Sequence, residues 1–182
     1  SEAEKVAEDA RKLAEEVIRL IEEVVERSKE LVDRNEKEIR RVIEESDKLV
    51  EEVIRLLRRG DIRDEDIKRI EERLKELNTR SRETSKDVER ELKELNKRLE
   101  EEIRKIEKEM KKLLDDLVRK RGETESVREV EKIVRDVVRE IREMLKRSKD
   151  ETRRVIKRVR EVNDRSEKRS RDVVREARET SR

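Results

Sequence analysis

One line of positions runs through the first third of the chain at Val6, Ala10, Leu13, Val17 and Ile21, then Val24, Ser28, Leu31, Asn35 and Ile39, then Val42, Ser46, Leu49, Val53 and Leu57. The steps are 4, 3, 4, 4 and 3, repeated. Five steps in 18 residues give about 3.6 residues per step, the period of a straight α-helix, whereas a heptad seam at 3.5 would force a left-handed supercoil. The second third keeps the same rule through Ile70, Leu74, Leu77, Ser81 and Ser85, then Val88, Leu92, Leu95, Leu99 and Ile103, then Ile106, Met110, Leu113 and Leu117. The last third follows with Val130, Val134, Val137, Ile141 and Leu145, then Ser148, Thr152, Val155, Val159 and Asn163, then Ser166, Ser170, Val173 and Ala177.

The only two glycines, Gly60 and Gly122, divide these three stretches. Each suits the left-handed position that closes a helix. Ser1 with Glu4 can open the first helix as a capping box, Asp61 or Asp64 can cap the second, and Thr124, or Ser126 with Glu129, can open the third. The pattern predicts helices over about 2–59, 64–121 and 125–181, joined by connections short enough to make consecutive helices antiparallel. The fold class expected is all-α: one elongated, nearly straight three-helix bundle over 1–182, up-down-up, with helices of about 57 residues and roughly 85 Å at 1.5 Å per residue.

Composition sharpens this picture. Charged residues make up 58% of the chain, and aromatic residues, Pro, Cys and His are absent. Such charge would suggest disorder, but 54 basic residues nearly balance 52 acidic ones and the apolar residues keep helical spacing. No apolar run approaches the roughly 18 residues of a membrane span, and the opening SEAEKVAEDA does not read as a signal peptide. A soluble protein is expected, cytoplasmic on recombinant expression.

The five letters LKELN occur at 74–78 and again at 92–96. Three helices that keep one exact repeat, with polar residues set into the core line, no aromatics and a mixed Glu/Lys/Arg surface, resemble de novo designed helical bundles. The resemblance is to the untwisted, 18-residue-repeat class with buried hydrogen-bond networks and Leu-x-x-Leu-Asn repeats.

The polar insertions fall at shared heights. With the first and third helices parallel and offset by about 123 positions, Ser28 lies near Ser148 and Thr152, and Ser46 near Ser166 and Ser170. Asn96 and Asn78 of the second helix fall within about a turn of those levels, and Asn35 faces Ser85 and, less closely, Asn163. A buried hydroxyl or amide without a partner costs roughly 1–3 kcal/mol, so these groups are expected to bond one another and to penalise every register that separates them. The expected network is Ser28, Asn35, Ser46, Asn78, Ser81, Ser85, Asn96, Ser148, Thr152, Asn163, Ser166 and Ser170. Ser81 and Ser85, within RSRETSKD, fit either this network or a polar outer face, while Thr79 and Thr84 are expected to be exposed.

At 100° per residue the apolar arcs of the first and third helices span about 160° and 140°, against about 100° for the second. The extra rows are Ala7, Val25 and Ile43, then Ala14, Val32 and Val50, and on the third helix Val138, Ile156 and Val174. They suggest an association seam between the first and third helices, for a second copy of the chain or a separate partner helix; the alternative is a monomeric scaffold whose terminal helices are better filled. Residues 1–59 carry 14 basic and 18 acidic side chains, and residues 125–182 carry 20 and 14. The opposite signs favour adjacency of these two helices.

Other functions find little footing. Without His, Cys or Tyr and without a glycine-rich phosphate loop, no catalytic, metal or cofactor constellation is expected. RRVIKRVRE and KRSRDVVRE are basic but interleaved with acids and lack stacking aromatics, so no nucleic-acid partner is expected. The apolar faces lack Trp and Phe and are needed for the core, so neither a membrane surface nor a small molecule is an expected partner.

Overall fold

The computed structural model describes residues 1–181. Three helices account for almost all of them: α1 over Glu2–Arg59, α2 over Asp64–Arg121 and α3 over Glu125–Thr180. They pack against one another as a three-helix bundle, as the 3.6-residue period requires of helices with one apolar stripe each.

The helix ends show why the chain turns where it does. Ser1 Oγ accepts from the Glu4 amide at 3.3 Å and caps α1. At the other end Gly60 adopts φ 70°, its amide reaches Leu57 O at 3.1 Å, and the Asp61 amide reaches Leu56 O at 3.2 Å. This paired closure needs a residue that enters the left-handed region without a Cβ clash. Gly122, at φ 73°, closes α2 with a single bond from its amide to Val118 O at 2.7 Å. Thr124 Oγ1 accepts from the Val127 amide at 3.3 Å and opens α3. The α2 start differs from expectation. Neither Asp61 nor Asp64 caps it; Asp66 reaches back to the Arg63 amide at 3.2 Å, the return half of a capping box without its first half.

Contacts group the residues into two compact units, each taking a stretch of all three helices. The first comprises residues 1–29 and 92–153, the second residues 30–91 and 154–182. Two clusters of buried apolar side chains stand out, one in each unit. In the first, Val17, Leu99, Ile103, Ile106, Met110 and Ile141 are among the buried residues, with Leu13, Leu20, Leu114 and Met144 packed against them. In the second, the buried set is smaller: Val53, Ile67, Ile70, Leu74, Val174 and Ala177.

Candidate functional site

The polar residues of the core line assemble into one device used three times. An asparagine on one helix faces two hydroxyls one turn apart on the neighbouring antiparallel helix. Asn78 of α2 accepts from Ser166 Oγ at 2.9 Å, and its Nδ2 donates to Ser170 Oγ at 2.9 Å. Eighteen residues along, Asn96 accepts from Ser148 Oγ at 3.0 Å and donates to Thr152 Oγ1 at 2.6 Å. In the third copy the helices exchange roles: Asn163 of α3 accepts from Ser81 Oγ at 2.7 Å and donates to Ser85 Oγ at 2.8 Å.

The geometry explains the choice of residues. An asparagine amide presents an acceptor and a donor side by side, and hydroxyls four residues apart lie on one helix face about one turn apart. In each clamp the N-terminal hydroxyl donates to Oδ1 and the C-terminal one accepts from Nδ2. That polarity is set by the asparagine's own helix. Nδ2 also donates to the carbonyl four residues back, Leu92 O for Asn96 at 3.2 Å and Val159 O for Asn163 at 3.2 Å. On an antiparallel neighbour the C-terminal hydroxyl is the one at that level.

Helix α1 takes a smaller share. Ser85 Oγ donates to Asn35 Oδ1 at 3.3 Å, which extends the Asn163 clamp to a third helix. Asn35 is 0% exposed and Ser46 is 7% exposed, yet Asn35 Nδ2 and Ser46 Oγ have no hydrogen-bond partner. Ser28 does not reach Ser148 or Thr152; its hydroxyl returns to Val24 O at 2.7 Å. Thr79 is exposed, and Thr84, half-buried, bonds back to Arg80 O at 3.0 Å.

The expected seam is distributed over two different grooves. Ala7, Val50, Ile156 and Val174 are buried within the chain, and Ala14, Val32, Ile43 and Val138 are half-buried, leaving Val25 open at 40% exposure. Val174 lies on the α2 side of α3, lining with Leu74 and Asn78 a groove of about 590 Å³. Val138 and Ile156 share its face at 18-residue spacing. This row therefore does not border α1. The α1 rows do border α3: Ile43, Ser46 and Val50 line a groove of about 290 Å³ with Val162, Arg165 and Ser166. Ile18 and Ile54, absent from the expected seam, are 41% and 43% exposed. They sit 36 residues apart and thus on one line of α1, a spacing readable from sequence.

Ion pairs fix the edges of α3. Toward α2, Arg142 meets Glu107 at 3.2 Å, Lys149 meets Glu100 at 2.7 Å, Arg160 meets Glu89 and Arg178 meets Glu71. Arg82 of α2 is held between Glu167 and Asp164, each at 2.7 Å. These two carboxylates, Glu167 first, push its pKa further up. Toward α1, Arg169 pairs with Asp47, one position off the expected 123-residue offset.

These observations place the chain beside one solved structure described as a computationally designed three helix bundle, with a TM-score of 0.84 and 18% identity, over 99% of this chain and 92% of that one. The shared feature is the three-helix fold. No family model and no curated protein matches the sequence. Among the bundle's described residues, no group of three or more His, Cys, Asp or Glu side chains could hold a metal ion, and no helix is long and apolar enough to cross a membrane.

Proposed function

We propose that this chain is a de novo designed bundle of the untwisted, 18-residue-repeat class, whose function is structural: clamps of Asn with paired hydroxyls specify which helices meet and in what register, and the α1/α3 face associates with another copy of the chain. The recurrence of the Asn78 clamp at Asn96, with both hydroxyls also moved by 18 residues, carries the reading. Apolar burial is non-directional and tolerates slipped arrangements, whereas a slip by one residue leaves each clamp's donors and acceptors unpaired in the core. The absence of aromatics, proline, histidine and cysteine, and the likeness to a designed three-helix fold, support the same origin.

The register claim is tested by replacing the three clamp asparagines and Asn35, which bonds Ser85, with Leu and the six hydroxyl partners with Val. Removing both members of buried polar pairs is close to neutral for stability, so the variant should be at least as stable as the parent but populate several species in native mass spectrometry. A single clean species would sink the specificity role. For self-association, light scattering after size exclusion should give an integer multiple of 22.1 kDa; the monomer mass at every concentration would overturn it.

A second reading has its own support. The buried, unpartnered Ser46 Oγ beside the open α1/α3 groove suits a separate amphipathic helix that brings a polar group to that level. A synthetic helix with an Asn aligned to Ser46 should bind the parent and lose affinity to a Ser46→Ala variant.

A further inference from the structure

Where α2 and α3 meet within the first unit, both helices turn cations toward solvent. Arg142 of α3 meets Glu107 of α2 at 3.2 Å and Lys149 meets Glu100 at 2.7 Å, which fixes the edge that each helix gives the other. On the solvent side of that edge α3 carries Arg128, Arg135, Arg139, Arg142, Lys146 and Arg153, all exposed. At 100° per residue they fall within an arc of about 60°, and over 125–153 that arc holds no acid. Glu131 and Lys149 border it toward α2, Lys132 and Asp150 border it toward solvent, and Glu143 lies about 40° beyond it. The matching arc of α2 carries the exposed Lys93, Lys97, Arg104, Lys108 and Lys111 against one acid, Asp115, with Glu100 at its α3 border and Glu101 and Arg119 at the other.

Most carboxylates beside these arcs are already engaged. Glu107 is held by Arg142, Glu100 by Lys149 and Arg104, Asp136 by Arg139 and Asp150 by Arg153 at 3.5 Å. Arg135 donates to the Glu131 carbonyl at 3.4 Å rather than to a carboxylate. Among the described residues, Arg128, Arg135 and Lys146 of α3 and Lys97, Lys108 and Lys111 of α2 have no carboxylate partner. They outnumber the acids left without a cation beside them, Glu101, Asp115, Glu131 and Glu143.

The surface between the arcs has an apolar floor. Val134 and Val138 line, with Arg135, Arg139, Arg142 and Lys146, a groove of about 440 Å³. Val138 is half-buried, as are Leu114 and Val118 on the facing edge of α2. Banks of one sign strengthen the field over such a trough, and an apolar floor suits the apolar stripe of a helix. Nucleic acid would use the banks but not the floor, and the chain has no aromatic side chain on which a base could stack. We infer that the α2/α3 face of the first unit docks an acidic amphipathic helix, with Leu or Ile at i, i+4 and i+7 on Val134 and Val138 and rows of Glu or Asp toward the cations of α2 and α3. This site lies on a different face from the α1/α3 self-association proposed above and does not depend on it.

The test uses a labelled synthetic peptide of about 20 residues, long enough to hold a helix, with Leu along one stripe and Glu on both flanks. A scrambled peptide of the same composition and a short DNA duplex serve as competing probes. By fluorescence anisotropy at low ionic strength the helix should bind the full chain, and the other two probes should bind at least about 10-fold more weakly. Arg135→Glu with Lys146→Glu reverses two cations that have no carboxylate partner within the chain. This variant should stay helical by circular dichroism and bind the helix with a Kd raised on the order of 10-fold or more. Lys5→Glu with Arg19→Glu, the same change of net charge at exposed positions of α1, should leave binding unchanged. No binding by the parent, or a groove variant that binds as the parent does, overturns the inference. Equal binding of the scrambled peptide, tighter binding of the duplex, or equal losses in the two charge variants overturns it too, because the surface would then read charge alone.

Discussion

The two units are made of the same three helices and the same repeat, yet they solve different problems. The first, residues 1–29 and 92–153, gathers the larger apolar cluster around Leu99, Ile103, Ile106 and Met110 and holds a single clamp, at Asn96. The second, residues 30–91 and 154–182, has a smaller apolar cluster around Ile67, Ile70 and Leu74 but holds two clamps and the extra link to Asn35. Burial of apolar area is the main favourable term in folding but does not choose among registers; hydrogen-bonded layers contribute less and choose sharply. The contrast assigns more stability per residue to the first unit and more register specificity to the second.

Core truncation gives the largest test. Ile103→Ala and Leu74→Ala both remove a fully buried branched side chain, and each should cost about 2–5 kcal/mol in guanidinium unfolding. The loss should be greater at Ile103, which belongs to the larger apolar cluster. Equal losses, or the reverse order, would break the assignment of stability to the first unit.

Clamp deletion should reverse the order. Asn163→Ala leaves the buried Ser81 hydroxyl without its amide and the buried Ser85 hydroxyl with Asn35 alone; a buried hydroxyl left unpaired costs about 1–3 kcal/mol. Asn96→Ala leaves Ser148 and Thr152, which are only half-buried and can turn to water. The second unit's clamp should therefore be the more expensive to lose by unfolding free energy. A larger loss at Asn96 would show that hydroxyl burial does not set the cost.

Ser46→Ala should change stability in the opposite direction. Its hydroxyl is buried with no partner, so its removal relieves a desolvation penalty and should raise stability by about 1 kcal/mol. The gain should appear in dilute monomeric protein; a loss there would mean that the hydroxyl is satisfied within the chain.

Much of this was legible in the sequence because it depends on spacing along one helix at a time. The glycines located both turns, and the 18-residue repeat put Asn78 and Asn96 level with their hydroxyl pairs. Ser46 shares a groove with Ser166 and Ser170 but bonds neither, and Ser28 misses its expected partners, because height along a helix does not determine distance across it. A serine can return its hydroxyl to its own helix, as Ser28 does to Val24 O. The Val138, Ile156 and Val174 row was assigned to the wrong groove for a related reason. An apolar arc gives the width of a buried face, but which neighbour lies at which edge depends on the hand of the bundle, which the repeat leaves open. The α2 cap escaped notice because Asp66 acts backward on Arg63, where the pattern sought an acid ahead of the helix.

The smallest effect separates charge from both burial and clamps. In the first unit Glu100 accepts from Lys149 at 2.7 Å and from Arg104 at 3.0 Å. The hydrogen bond from Lys149 is the main reason that its carboxyl lies below the ordinary carboxylate range. A carboxyl depressed in the fold contributes stability that is complete above its unfolded pKa, about 4.5, and is lost as pH falls through its lower folded value. Lys149→Met should therefore weaken the protein at pH 7 and converge with the parent in acid. The pair is half-buried at the bundle surface, where water and salt still screen it, so the difference at pH 7 should stay below about 1 kcal/mol and shrink further in 1 M salt. Parallel stability curves for parent and variant from pH 7 to pH 2 would show that Lys149 acts through packing, and the first unit would then owe this increment too to apolar burial rather than to charge.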